Sequence, residues 1–146
     1  MVWSDYFSPY LISIFVAWFG AHIFKYVIGL KKTEKHGFKS HLFTSGGMPS
    51  SHSTTVVALL TTIGLRDGIS SGLFGLSVLL ALIVMYDAVK VRRSSGEQGE
   101  SIRELIKEQK SSVKLPRAAK GHTPLEVIVG AAFGVLIGVV VFFSTT

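Results

Sequence analysis

Two histidines carry the chemistry this sequence is equipped to perform. His52 lies in Gly46-Gly47-Met48-Pro49-Ser50-Ser51-His52-Ser53, directly before an apolar run. A double glycine admits a turn with positive φ, and a proline at the first helical position pre-sets the helix start. With Pro49 there, the amides of Ser50, Ser51 and His52 have no helical partners and face outward, where a dianionic phosphate is stabilised. Serine hydroxyls add donors, and His52 adds a titratable one. His122 lies in Gly121-His122-Thr123-Pro124-Leu125-Glu126, again directly before an apolar run. The i, i+4 spacing sets the Glu126 carboxylate beneath the His122 ring. A carboxylate there holds one ring nitrogen as N–H, leaves the other free as nucleophile or base, and stabilises the cation that forms.

Cationic groups of the right kind are near in sequence. Arg92 and Arg93 close a third apolar run in DAVKVRRSSGEQ, and Lys25 stands towards the end of the first. Guanidinium forks bind phosphate oxygens in pairs, so these three are candidate phosphate ligands beside Ser50 and Ser51. Asp87, one turn inside the third run, needs a cationic partner, for which Lys90 at i+3 or Lys25 would serve; it is expected to support the site from behind. His22, His36 and His41 have no comparable surroundings. No cysteine is present, which excludes thiolate nucleophiles and thiolate metal sites, and no group of carboxylates has metal-ligand spacing. The expected chemistry needs no cofactor.

The elements that must hold these residues are membrane helices. Hydrophobic residues make up 48% of the 146, against 16% charged, and they are gathered into blocks separated by short charged stretches. A bilayer core about 30 Å thick needs about 20 helical residues. This predicts spans over about 9–30, 72–91 and 123–143, with a fourth over 49–65 that is short for the task, roughly 26 Å at the usual rise. Its start, which carries the His52 motif, is therefore expected in the headgroup layer. The opening MVWSDYF lacks the cationic segment of a cleaved signal, so the first block reads as a retained helix.

Lysine and arginine set the orientation. The stretch 31–48 holds Lys31, Lys32, Lys35 and Lys39, and 92–121 holds Arg92, Arg93, Arg103, Lys107, Lys110, Lys114, Arg117 and Lys120, whereas the turn after the second run holds Arg66 alone. By the positive-inside rule both basic loops are cytoplasmic and both termini lie outside. The two histidine motifs then share the cytoplasmic side of the inner membrane at similar depth. The basic residues are not interleaved with exposed aromatics, which argues against nucleic acid as a partner. Within the second basic loop, Ser101 to Ser112 predicts a short interfacial helix with Ile102, Leu105 and Ile106 on one face and capping-box spacing between Ser101 and Glu104. Gly130, Gly134 and Gly138 recur every four residues along the last run, a stripe that lets helices approach closely, inside the bundle or between the protomers of a homo-oligomer.

Taken together, these motifs resemble those of the type 2 phosphatidic-acid phosphatase and vanadium haloperoxidase superfamily. Pro49-Ser50-Ser51-His52 is similar to its PSGH motif, and His122-Thr123-Pro124-Leu125-Glu126-Val127 to its HxPxDV motif. The set GGMPSSHS, DAxxVRR, GEQ and GHTPLEV resembles the divergent bacterial and plastid branch over nearly the whole chain. The resemblance implies a phosphatase in which His122 is the nucleophile and forms a phosphohistidine, Glu126 orients it, and His52 protonates the leaving alkoxide. Ser50, neighbouring amides and basic side chains would hold the phosphate. The chain departs from the superfamily at Ser51, where glycine is usual, at Glu126, where aspartate is usual, and in having four expected spans instead of six. It lacks the superfamily's Lys…Arg-Pro motif, for which Lys25 is the counterpart. Pro116 occupies the position of the arginine six residues before the nucleophile, a role left to Arg92 and Arg93.

The reading that results is an all-α polytopic membrane bundle of about four spans and one interfacial helix. It hydrolyses a lipid phosphomonoester, best phosphatidylglycerophosphate, without a metal. A polyprenyl phosphate or diphosphate is the alternative isoprenoid substrate, and a non-catalytic lipid-binding or transport protein the alternative of another class.

Overall fold

The computed structural model describes residues 8–31, 47–116 and 121–146, and every regular element among them is helical. Helix α1 runs Pro9–Lys31, α2 Ser51–Asp67, α3 Gly72–Tyr86, α4 Arg92–Glu108 and α5 Pro124–Thr145, with a π-helical turn at Asp87–Val91 joining α3 to α4. Among the described residues three helices are long and apolar enough to cross a membrane: Pro9–Ile28, the continuous rod Gly72–Glu108, and Pro124–Thr145. Their outer faces present bulky apolar side chains, among them Phe15, Phe19, Leu76, Leu82, Leu136 and Phe143, each more than half exposed. Such a surface suits lipid.

Helix α2 does not meet the length of a span, yet it is the centre of the bundle, packed against α1, α3 and α5. A helix with this many hydroxyls survives in an apolar setting because they bond back to its own carbonyls: Thr54 to Ser50 O at 2.9 Å, Thr55 to Ser51 O at 2.8 Å, Thr61 to Val57 O at 2.8 Å and Thr62 to Ala58 O at 2.9 Å. The Thr62 and Ser13 hydroxyls, 2.9 Å apart and both fully buried, link α2 to α1.

Of the two uses expected for the glycine stripe, the structure has the packing within the bundle. A Cβ on Gly130 would stand 2.7 Å from Ser50 O, on Gly134 2.5 Å from Thr54 O, and on Gly138 2.6 Å from Thr61 Cβ. The stripe is covered by α2 of the same chain, and Ala17, Ala58, Ile137 and Val141 form the small core beside it. At the far end from the histidines, the Tyr10 hydroxyl lies 2.8 and 2.7 Å from the Asp67 carboxylate oxygens, and Arg66 Nη2 donates to Thr145 O at 2.9 Å, which ties together the ends of α1, α2 and α5.

One expected boundary is corrected. The third helix does not stop at Val91, and Ser101–Ser112 is not a separate element. The π turn carries the helix through to Glu108, because the stretch from Tyr86 to Glu108 contains no proline and its two glycines, Gly96 and Gly99, are tolerated singly. Ile102 and Leu105 are exposed on this extension. Most of the first basic loop, with Lys32, Lys35, Lys39, His36 and His41, lies outside the described residues, as do Arg117 and Lys120.

Candidate active site

Helix α2 begins two residues later than Pro49 as its first position would require. Ser50 is the N-cap: its Oγ accepts from the Ser53 amide at 3.4 Å and from the Ser53 hydroxyl at 3.1 Å. Its own amide is not turned outward, as expected from the sequence, but donates to Glu126 O at 3.1 Å, and the residue is fully buried. Ser50 thus fastens the start of α2 to the start of α5, where Gly130 leaves the room for it. Ser51 is buried and His52 is exposed. Gly47 takes the positive φ the double glycine allows, +86°, with the aliphatic stem of Lys25 passing over it, the Cε atom 3.6 Å from where a Cβ would stand.

Helix α5 starts on a complete capping box: Thr123 Oγ1 accepts from the Glu126 amide at 3.3 Å, and Glu126 Oε2 accepts from the Thr123 amide at 3.0 Å. The same Oε2 lies 3.1 Å from His122 Nδ1. A carboxylate only accepts, so Nδ1 carries the proton and Nε2 keeps its lone pair in the neutral ring. His122 is 4% exposed. Burial pushes its pKa below the ordinary histidine value; the Glu126 hydrogen bond opposes this, and the charges of Lys25 and Arg92 add to the fall. The ring is therefore neutral at pH 7, the form in which a histidine attacks.

The two histidine motifs meet, the rings standing edge to face with centroids 6.5 Å apart. Around them the structure gathers residues from four elements. Lys25 of α1 is buried and interacts electrostatically with Glu126 and both histidines. Arg92 likewise acts on both rings, whereas Arg93 is turned away, its Nε donating to Glu97 Oε1 at 3.0 Å. The partner of Asp87 is neither Lys90 nor Lys25 but Arg92, whose Nε is 2.6 Å from Oδ2. In an α-helix side chains five apart point about 140° from one another, and the π turn is what brings this pair together. His22 is buried elsewhere on α1, its Nδ1 2.8 Å from Trp18 O.

Two contacts were not expected from the sequence. The His122 amide donates to Ala88 O in the π turn at 3.1 Å, and a Cβ on Gly121 would stand 2.4 Å from the Arg93 backbone. The glycine of the GHT segment is thus the residue that lets the loop lie on the α3–α4 rod, and the only sequence signal for it was that glycine's place before the histidine.

A family model described as "Divergent PAP2 family" matches residues 7–137. The chain is similar to the uncharacterized membrane protein YuiD of Bacillus subtilis (strain 168), 38% identical over 115 residues that cover 68% of this chain and 73% of that protein. No solved structure matches it. With three helices of spanning length and a membrane relative, the chain is an integral membrane protein.

Proposed function

The chain belongs to the divergent PAP2 family, and from that premise we propose that it is a lipid phosphate phosphatase working at the membrane surface through His122 and His52. The observation that carries the reading is the buried His122, paired with Glu126, with the second histidine 6.5 Å away, centroid to centroid, at the same end of the bundle. In this reading His122 Nε2 attacks the phosphorus in line as the P–O bond to the lipid breaks, and His52 gives its proton to the departing alkoxide. Water then cleaves the phosphohistidine, with His52 as base, and orthophosphate leaves. Glu126 stabilises the imidazolium that appears on attack. Arg92, held by Asp87, the charge of Lys25, and the helix-start amides of Ser51 and His52 balance the equatorial oxygens of the transition state.

A guanidinium fork and a point charge differ at such a site. Arg92→Lys is expected to lower turnover by about 10-fold or more, about 1.4 kcal/mol, while Arg93→Lys stays near wild type because its side chain already serves Glu97. Assays of both variants beside the wild type check this; equal, near-normal rates would reduce the pair to topology anchors.

The substrate we assign is a phosphomonoester on the cytoplasmic leaflet, with phosphatidylglycerophosphate as the best candidate: its terminal phosphate can reach a shallow site while its diester stays at headgroup level. In the arrangement we propose, α2 reaches up from the outer face without filling the bilayer, so that its histidine end sits beneath the cytoplasmic headgroups. Purified protein should release orthophosphate from a panel of lipid phosphates, and a His122→Ala control should not. Failure with every lipid would favour a binding or transport role. Impermeant labelling of single cysteines placed at Ser70 and Ser112 in intact cells should mark Ser70 only. The reverse would turn the site outward and favour a polyprenyl phosphate or diphosphate.

A further inference from the structure

The helix ladder changes register at the mouth of the site. Arg92 donates its amide to Asp87 O, five residues back, in place of Ala88 O, four back. Where a helix passes from i→i+5 back to i→i+4 pairing, one carbonyl is left without its helical donor. The Ala88 carbonyl loses its usual partner in this way, and it is the one that accepts from the His122 amide at 3.1 Å. Ala88 is buried, so a carbonyl left over there must find a donor.

We propose that the π turn Asp87–Val91 is a positioning device for the phosphatase chemistry inferred above: it supplies the Ala88 carbonyl as the fixed point on which the His122 backbone is held. Three consequences of one extra residue then coincide. The carbonyl holds the backbone of the nucleophile, the turn sets Arg92 against Asp87 beside the same ring, and the Arg93 backbone forms the floor on which Gly121 lies. The nucleophile is thereby fixed from both sides, through its amide by the π turn and through Nδ1 by Glu126 of α5.

The turn can be removed without altering the rest of the rod. Deleting Lys90, whose side chain is exposed, returns the ladder to i→i+4 and leaves Asp87 and Arg92 four apart, still on one face. Arg93 would then donate to the Ala88 carbonyl and compete with His122. Hydrogen exchange of the 121–123 amides and steady-state kinetics on a lipid phosphomonoester read the result. The deletion should speed exchange at His122 and lower kcat by ~100-fold, as expected for a displaced reacting group, with KM little changed. Asp87→Asn keeps the turn's length and should keep the amide protected. If the deleted chain fails to fold, Gly121→Ala lifts the same loop with the helix intact and should expose the same amide. Wild-type protection at His122 in both the deletion and Gly121→Ala, or lost protection with an unchanged kcat, would overturn the proposal. A wild-type protein that releases no phosphate would sink the phosphatase reading, and exchange at His122 would still decide whether the turn holds it.

Discussion

Replacing His122 with alanine is expected to abolish phosphate release, on the order of 10⁴-fold or more, because its Nε2 is the attacking atom of the proposed reaction. The fold should survive. The imidazole is buried, but it lies ahead of α5 and not within it, and the capping box between Thr123 and Glu126 that starts the helix does not use the ring. His52→Ala should cost about 10²–10⁴-fold, the range for general acid–base assistance, and should disturb packing less still, since the side chain is exposed. The two variants differ in what accumulates. Without His52, a phosphoenzyme on His122 should be trapped by rapid quenching, most clearly with a substrate whose leaving group needs no protonation; without His122 none can form. The pH profile follows from the lowered His122 pKa. Protonation, which removes the attacking lone pair, occurs only below the ordinary histidine value, so the acid limb should lie lower than for a free imidazole. Near wild-type turnover in either variant would mean that phosphate is cleaved elsewhere or by another route.

The parts of this site legible in the sequence were those governed by local spacing. The His122–Glu126 pair follows from i, i+4 geometry on one helix, and its 3.1 Å separation needed no tertiary information. Apolar runs marked α1, α3 and α5 for the same reason. What could not be read were relations set by tertiary packing. Polar text such as RRSSGEQGES looks like a loop following a span, yet it continues as helix once the rod leaves the apolar layer. A π turn has no sequence signature in this stretch, so spacing points to Lys90 at i+3 or to Lys25 as the Asp87 partner, whereas the structure has Arg92 at i+5. Helix α2 reads from the sequence as the weakest span because it is short; its Ser and Thr residues make it suitable as the centre, since small hydroxylated side chains bond to their own backbone and admit α5 at close range. Ser50 is the clearest case. The sequence placed it on the phosphate, whereas its hydroxyl, amide and carbonyl are all engaged in joining α2 to itself and to α5.

That junction gives the second large effect. Gly134→Ala would set a methyl 2.5 Å from Thr54 O, 3.0 Å from Val57 Cβ and 3.1 Å from the Ala58 amide, and since the first and last are backbone atoms, no rotamer change relieves it. The helices must part along the stripe, for about 1–3 kcal/mol of overpacking. Gly130→Ala meets the backbone of Ser50, 2.7 Å from its oxygen and 3.1 Å from its nitrogen, the nitrogen that donates to Glu126 O. Here the displacement falls on the start of α2, which carries His52, and on the first turn of α5, which carries Glu126. A shift of about 1 Å between reacting groups lowers turnover about 10²-fold, so Gly130→Ala should lose activity out of proportion to stability and Gly134→Ala the reverse. Gly75→Ala, with nothing within 4 Å of the added methyl, should be neutral or slightly stabilising, as alanine is in a helix. Thermal unfolding in detergent and kcat, measured on all three, separate the two effects. Wild-type turnover in Gly130→Ala would show that the seam between α2 and α5 does not set the distance between the histidines.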